Sequence, residues 1–165
     1  MSGSDTKQRA EAVAAAFPAE KSEVSVRVGD WKQLCAYAMA VRYAVFVKEQ
    51  GIPAQLEMDE HDASAVHAVA FDLCGVPLGT GRLLADAHIG RMAVLRRARG
   101  QGIGAIILRT LVVIAKARGM QELRLHAQLG ALGFYERQGF IAIGPEYEEA
   151  GILHRTMVRS LGSER

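Results

Sequence analysis

The chain has 165 residues, half of them hydrophobic, 23% charged and 6% aromatic, which is typical of one globular domain and excludes wholesale disorder. Its 20 basic and 18 acidic residues leave a net charge of +2, too small to indicate a nucleic-acid partner. The longest apolar run, 103–115, is interrupted by Arg109 and is shorter than the roughly 20 residues that cross a bilayer, so we expect no membrane segment.

The two ends of the chain differ from its middle. Residues 1–22 lack the apolar stretch of a secretion signal, so we expect an N-terminal tail or short helix there, then one domain over 23–160 and a C-terminal tail over 161–165. Cys35 and Cys74 show no paired spacing, which indicates reduced thiols and a cytoplasmic protein. The histidines form no metal-binding motif, so no metal is expected.

The predicted domain begins with a strand and a helix. Valines alternate with other residues over 24–28, which predicts a strand. Asp30 can cap a helix that we expect over 31–48. A glycine and a proline then end the helix and open a polar loop over 51–63.

Strands dominate the next part of the chain. The segments 67–73 and 78–86 are separated by Gly-Val-Pro, which predicts a hairpin, and 89–95 supplies a third strand. After a glycine-rich turn, apolar residues recur at helical spacing over 102–118, which predicts a largely buried helix.

The last third of the chain completes a mixed α/β sheet flanked by helices. Residues 123–127 are predicted as a strand, so that strand, helix and strand form a βαβ unit with parallel strands and a right-handed crossover. We expect a short helix at 132–137 and strands at 140–143 and 152–159.

The glycine-rich turn, Arg-Arg-Ala-Arg-Gly-Gln-Gly-Ile-Gly at 96–104, carries the most chemical information. Glycines let the backbone approach a ligand closely, and the free N–H groups at a helix start favour an anion. The turn lacks the Lys-Ser or Lys-Thr of a P-loop. Its GxGxG spacing and its place after several strands also differ from a dinucleotide-binding fingerprint.

Several segments resemble known signatures of one family. Arg-x-x-Gly-x-Gly at 99–104, after Met-Ala-Val at 92–94, resembles the acyl-CoA-binding motif of the GNAT superfamily of N-acetyltransferases. The segment 134–140 resembles that family's second signature, a short helix with a tyrosine that leads into a Gly-Phe strand. The segments 41–50 and 151–157 resemble the ElaA-like branch.

The resemblance implies a mixed, mostly antiparallel sheet of six to seven strands with a splayed parallel pair. It implies transfer of an acetyl group from acetyl-CoA to a primary amine of a small molecule or peptide, by direct attack in a ternary complex. The strand and turn residues that it implies for cofactor binding are Met92, Ala93, Val94, Arg99, Gly100, Gln101, Gly102, Ile103 and Gly104.

The resemblance also implies that Tyr135 protonates the departing thiolate. Some members have a carboxylate base at the start of the fourth strand, where this chain has His88, so we hypothesise that His88 is the catalytic base. Acidic residues after the first helix, Glu57, Asp59 and Glu60, are expected to attract a cationic substrate. Many members have an Asn after the fifth strand, whereas this chain has His-Ala-Gln at 126–128.

Two alternatives stay open at this point. A non-catalytic acyl-CoA-binding module would keep the glycine turn without an acid or a base. An acyl-homoserine-lactone-synthase-like acyltransferase has a related fold. The partner of the chain is an amine acceptor in the favoured interpretation, with a homodimer left open and neither nucleic acid nor membrane expected.

Overall fold

The computed structural model describes residues 23–162, apart from the side chain of Glu57, so the predicted tail at 1–22 lies outside the described residues. The α-helices are α1 (Trp31–Arg42), α2 (Ala54–Glu57), α3 (Ile103–Ala117) and α4 (Leu132–Arg137). The strands are β1 (Ser25–Gly29), β2 (Val66–Phe71), β3 (Pro77–Leu83), β4 (Ile89–Val94), β5 (Glu122–Gln128), β6 (Ile141–Glu149) and β7 (Ile152–Ser160). A π-helix spans Tyr43–Glu49, and 3₁₀-helices span Glu60–Ser64, Arg96–Ala98 and Leu129–Ala131. Within the described part of the chain, no helix is long and apolar enough to cross a membrane.

Within residues 23–162, the strands form two antiparallel sheets that meet at one parallel contact. The strand orders are β1-β2-β3-β4 and β5-β7-β6. A single bridge between His88 and Arg124 joins the start of β4 to β5, and the Arg124 amide donates to the carbonyl of Ala87 at 3.1 Å. The two strands then part. The structure thus confirms the predicted mixed, mostly antiparallel sheet with a splayed parallel pair.

The helix α3 packs closely on the first sheet. Its residues Ile103, Ile107 and Leu111 recur every four positions and are buried. Gly79 in β3 makes room for them, because a Cβ there would lie 2.9 Å from Ile107 Cδ1 and 3.2 Å from the carbonyl oxygen of Ala93. A side chain at this position would push the helix away from the strand.

The helix α1 starts at a capping box. The Gln33 amide donates to Asp30 Oδ1 at 2.8 Å, and the Asp30 amide donates to Gln33 Oε1 at 3.0 Å. Leu34, Ala38 and Val41 form its buried face. The helical path then continues through the π-helix to Glu49, so a helix is present over the whole predicted range 31–48.

Two segments differ from their predictions. The polar loop predicted over 51–63 contains α2 and a 3₁₀-helix, because Asp59 caps the latter with its carboxylate. The strand predicted at 140–143 continues to Glu149. Gly144, at φ +71°, lies where the pairing of β6 with β7 is irregular, and the strand continues beyond it. Arg155 donates two hydrogen bonds to the carbonyl of Gly144, at 3.1 and 2.8 Å.

A buried ion network joins α1, β3 and the segment after α2. Arg42 and Asp62, each 1% exposed, form a bidentate pair at 2.9 and 3.0 Å. Arg82 Nη1 donates to Asp62 at 2.8 Å and to Asp59 at 2.6 Å. Burial raises the pKa of Asp62, but the hydrogen bonds from Arg42 and Arg82 outweigh it and hold that pKa below its ordinary value.

We therefore expect Asp62→Asn to lower the free energy of unfolding by about 3–5 kcal/mol, because it removes the buried carboxylate that pairs with Arg42 and one of the two carboxylates that pair with Arg82. Urea titration at pH 7 measures this. The control is Glu136→Gln at an exposed position, for which we expect a change within about 0.5 kcal/mol. Since the pKa of Asp62 is lowered by folding, the difference between the native chain and the variant should shrink as the pH falls below about 3.9. A difference that is small at pH 7 would contradict the stabilising role.

Candidate active site

The strand β4 is bulged beside the point where it leaves β5. Thr80 pairs with Ala93 and Arg82 pairs with Gly90, so Arg91 and the residue after it lie opposite one residue of β3. Arg91 takes a φ of +52°, an uncommon value for a residue with a side chain. Past the bulge, β4 has β3 on one edge and no strand of the described chain on the other. Apart from the Val94 carbonyl, which accepts a hydrogen bond from Arg99 Nε, the backbone groups that face this edge at 92–94 are therefore open to a ligand.

The glycine turn is open and its amides are unpaired. Gly100 and Gly102 take φ values of +77° and +79°, and a Cβ at either position would have no atom within 4 Å. Gly102 precedes α3 without any side-chain cap. No described residue accepts a hydrogen bond from the amides of Gly100 to Gly104. Five consecutive donors at the start of a buried helix form a ready site for an anion.

Arginines anchor this turn to the π-helix. Arg99 Nη2 donates to Glu49 at 2.7 Å and Arg99 Nε to the carbonyl of Val94 at 3.0 Å, while Arg96 Nε lies 3.4 Å from Glu49. The hydrogen bond from Arg99 lowers the pKa of Glu49. The Arg99 amide, predicted as a donor to the cofactor, is already bonded to the carbonyl of Arg96 at 3.3 Å. Arg99 therefore fixes the shape of the turn, and the unpaired amides begin at the next residue, Gly100.

Tyr135 lies in the short helix α4 and is 8% exposed. Its ring packs edge-on between Phe134 and Phe140, with centroid distances of 5.0 and 6.0 Å. Phe134 in turn lies against the turn, because a Cβ at Gly104 would be 3.3 Å from its Cζ atom. Burial raises the pKa of Tyr135. Its hydroxyl makes no hydrogen bond within residues 23–162 and carries its proton at neutral pH.

A group of imidazole and phenol rings lies where β4 and β5 are still joined. The His88 and His126 rings stack at a centroid distance of 5.8 Å. The Tyr147 hydroxyl makes a short hydrogen bond with His126 Nδ1, and the His154 ring stacks on Tyr147 at 5.9 Å. We call His88, His126, Tyr147 and His154 the imidazole cluster. Sequence reasoning placed only His88 here, because the strand that carries Tyr147 was predicted to end at 143.

The other end of β5 is tied to the π-helix by a pair of amides. Gln128 Nε2 donates to Gln50 Oε1 at 2.9 Å, and Gln50 Nε2 donates to Gln128 Oε1 at 3.2 Å. Gln128 stands near the position at which many family members have an Asn. Its side-chain amide is already paired with that of Gln50.

The predicted acidic residues have different surroundings. Asp59 accepts from Arg82 at 2.6 Å and from Arg91 at 3.1 Å, and the hydrogen bond from Arg82 is the main reason why its pKa lies far below the ordinary value. Its charge is thus balanced before any ligand binds. Glu60 is exposed, and the side chain of Glu57 lies outside the described residues.

Comparison with known proteins agrees with this geometry. The sequence pattern of the family described as "Acetyltransferase (GNAT) domain" matches residues 19–161. The chain belongs to the GNAT acetyltransferase family. It is 36% identical over 126 residues to the uncharacterized N-acetyltransferase YjcF of Bacillus subtilis. The alignment covers 74% of this chain and 89% of that protein.

Solved structures of GNAT proteins share this fold. An acyl-CoA N-acyltransferase from Pseudomonas aeruginosa superposes with a TM-score of 0.73 at 29% identity, covering 83% of this chain and 99% of that one. Escherichia coli ElaA superposes with a TM-score of 0.73 at 26% identity, with coverages of 83% and 99%. The resemblance to GNAT acetyltransferases with ElaA-like relatives is confirmed, and the chain is an acetyltransferase of this family.

Proposed function

We propose that this acetyltransferase moves an acetyl group from acetyl-CoA to a primary amine of a small molecule or peptide, by direct attack in a ternary complex. The observation that carries the proposal is the row of five unpaired amides at Gly100–Gly104, next to the open splay of β4 and β5. The helix dipole contributes about 0.3–1 kcal/mol to anion binding there, so the hydrogen bonds must supply the rest. A cytoplasmic location and the homodimer alternative stay predictions.

The residues divide the task of holding the cofactor. The free amides from Gly100 to Gly104 would bind its pyrophosphate. The backbone of Met92, Ala93 and Val94 would pair with the pantetheine arm as an added strand, because that edge of β4 has no strand beside it. The thioester would then lie in the splay, between the bulge of β4 and the middle of β5.

The chemistry needs an acid and a base. The Tyr135 hydroxyl, kept protonated by its buried surroundings, would donate its proton to the departing sulfur. An imidazole of the cluster would take a proton from the acceptor amine, and His88 is the imidazole that the sequence predicted for this role. A non-catalytic acyl-CoA-binding module would need neither group.

The decisive experiment incubates the protein with acetyl-CoA and a panel of primary amines, and detects free thiol. The panel contains 1,4-diaminobutane, benzylamine and a lysine peptide. We expect thiol release that depends on the amine, with the acetylated amine found by mass spectrometry. Binding of acetyl-CoA without release of thiol to any amine would favour the non-catalytic module.

Acetyl-CoA should raise the Tm of the protein by about 5–10 °C at a concentration 100-fold above its Kd.

Gly102→Ala should weaken the binding of acetyl-CoA about tenfold or more, because its methyl group would point into open space that the pyrophosphate needs. The matched control is Gly119→Ala at the other end of α3. Gly119 has a φ of +74° and the same empty surroundings, so both variants carry a similar backbone strain. Equal Kd values for the two variants would contradict the amide site.

Tyr135→Phe should lower kcat about 100-fold or more and leave the Kd of acetyl-CoA nearly unchanged, because it removes the proton donor and keeps the ring. Steady-state kinetics with an amine from the panel and calorimetry with acetyl-CoA measure the two quantities. Tyr37→Phe, at a partly exposed tyrosine of α1, is the control. An unchanged kcat for Tyr135→Phe would exclude the role as acid.

The double variant Glu57→Gln/Glu60→Gln should raise KM for 1,4-diaminobutane several-fold and leave KM for acetyl-CoA unchanged, because it removes negative charge that attracts a cation. The increase should shrink at 1 M salt, where charges are screened within about 3 Å. Asp59 is left intact, since its carboxylate belongs to the ion network. If KM for the diamine does not change, these carboxylates do not contribute to acceptor binding.

A further inference from the structure

The reaction proposed above leaves one energetic demand to be met, and this inference rests on that proposed function. An alkyl amine with a pKa of about 10.4 is protonated at pH 7, and removing its proton costs about 4–5 kcal/mol. Only the neutral amine can attack the thioester. A base is therefore needed on the side of the sheet from which the acceptor approaches.

The alternation of buried and less buried side chains along β5 identifies that side. Leu123, Leu125 and Ala127 are buried and belong to the core under α3. His126 and Gln128 point to the opposite face. Because α3 covers the first face, an acceptor reaches the splay from the face of His126.

One ring nitrogen of His126 has hydrogen-bond partners, and the other has none among the described residues. Its Nδ1 makes the short hydrogen bond with the Tyr147 hydroxyl, and Thr156 Oγ1 lies 3.4 Å from the same nitrogen. Its Nε2 has no hydrogen-bond partner in the described part of the chain. When Nδ1 carries the proton and donates to Tyr147, the lone pair of Nε2 is free for a ligand.

Position along the strands favours His126 over His88. His88 bridges Arg124 at the closed end of the splay. His126 lies two residues further along β5, in the direction in which the two strands part, and its ring centroid lies 5.8 Å from that of His88. His88 Nδ1 also lies 3.0 Å from Asp86 Oδ1, so a carboxylate of the chain already lies beside that nitrogen.

We propose that His126 Nε2 is the catalytic base that takes the proton of the acceptor amine. His126 Nε2 first takes the ammonium proton and passes it to solvent. The nitrogen of the neutral amine then bonds to the carbonyl carbon of the thioester, the C–S bond breaks, and the Tyr135 hydroxyl gives its proton to the leaving sulfur. The second proton that the nitrogen loses passes to His126 Nε2. Solvent then takes the proton from His126 and returns one to Tyr135, so that protons balance over the cycle.

Tyr147 and His154 are positioning residues in this proposal. The His154 ring, 8% exposed, stacks on Tyr147. His154 Nδ1 donates to the carbonyl of Ile152 at 2.7 Å, which fixes the orientation of that ring. The stacked ring holds the Tyr147 hydroxyl against His126 Nδ1, which fixes the imidazole and leaves Nε2 as its unpaired nitrogen in the described part of the chain.

The charged groups around His126 set the pH at which it accepts a proton. Loss of hydration lowers its pKa, Glu149 on β6 raises it, and His88, His154 and Arg124 lower it. Tyr147 contributes a neutral hydroxyl, because the loss of hydration also raises its pKa. The net shift is downward, so His126 is neutral at pH 7. At saturating acceptor, kcat should rise with pH up to a midpoint below about 6.5 and then level off.

The test compares His126→Ala with His88→Ala, using the best acceptor among 1,4-diaminobutane, benzylamine and the lysine peptide. We expect His126→Ala to lower kcat at pH 7 about 100-fold or more and to lose the acidic limb of the pH profile. Imidazole added to the buffer should restore part of the activity. The Kd of acetyl-CoA and the urea midpoint should not change, since His126 is exposed.

Two further variants serve as comparisons. Tyr147→Phe should lower kcat less than His126→Ala does and keep the acidic limb. His61→Gln, at an exposed histidine outside the cluster, should have the kcat and the pH profile of the native protein.

An acidic limb that persists in His126→Ala and disappears in His88→Ala would overturn the assignment. A loss of activity in His126→Ala without any rescue by imidazole, at unchanged cofactor affinity and with the limb intact, would do the same. If the native protein binds acetyl-CoA and acetylates no amine, the proposed function fails first, and the assignment of the base falls with it.

Discussion

Every part of the site depends on the parting of β4 and β5 after a single bridge. Had the two strands stayed paired, the sheet would be continuous, the edge of β4 would be occupied, and no ligand could pass between the layers. The bridge between His88 and Arg124 is therefore as important as the gap that follows it. It closes one end of the splay and brings the imidazole cluster to that end, while the glycine turn lies beyond the other end of β4.

The ion network explains how the bulge beside that gap is held in place. Arg91 has an unfavourable backbone conformation, of the kind that costs about 1–3 kcal/mol. Its guanidinium is bonded to Asp59, which also accepts from Arg82 of the neighbouring strand. Arg82 and Asp62 then connect the bulge to Arg42 in α1. The pairs of Asp62 with Arg42 and Arg82 are buried, so removing one partner is costly there, whereas the pair of Arg91 with Asp59 is partly exposed. The network keeps the helix layer, the bulge and the acceptor side in one arrangement.

Much of this fold was predictable because it follows from local patterns. Apolar periodicity identified α3, and the Arg-x-x-Gly-x-Gly spacing identified the turn before it.

The bulge in β4 was not predictable, since it arises from the pairing with β3 and Arg91 is an ordinary residue in sequence. The length of β6 was missed because Gly144 and the proline after it are typical of a turn, although here the glycine bends a strand that continues. Asp59 looked like a free carboxylate, because its partner Arg82 is remote in sequence. The imidazole cluster shows the same limit, since its members come from the start of β4 and from β5, β6 and β7.

The two groups assigned to proton transfer illustrate how one physical cause can prepare opposite tasks. Removing water from around a side chain disfavours its charged form, which is the anion for a phenol and the cation for an imidazole. The aromatic surroundings of Tyr135 therefore raise its pKa and keep the proton that it must give. The partly dehydrated position of His126 lowers its pKa and keeps the lone pair that it must use. Each group rests in the protonation state that acyl transfer to an amine requires at neutral pH. Packing is the main cause of both states, with Phe134 and Phe140 flanking the tyrosine and β6 and β7 flanking the histidine.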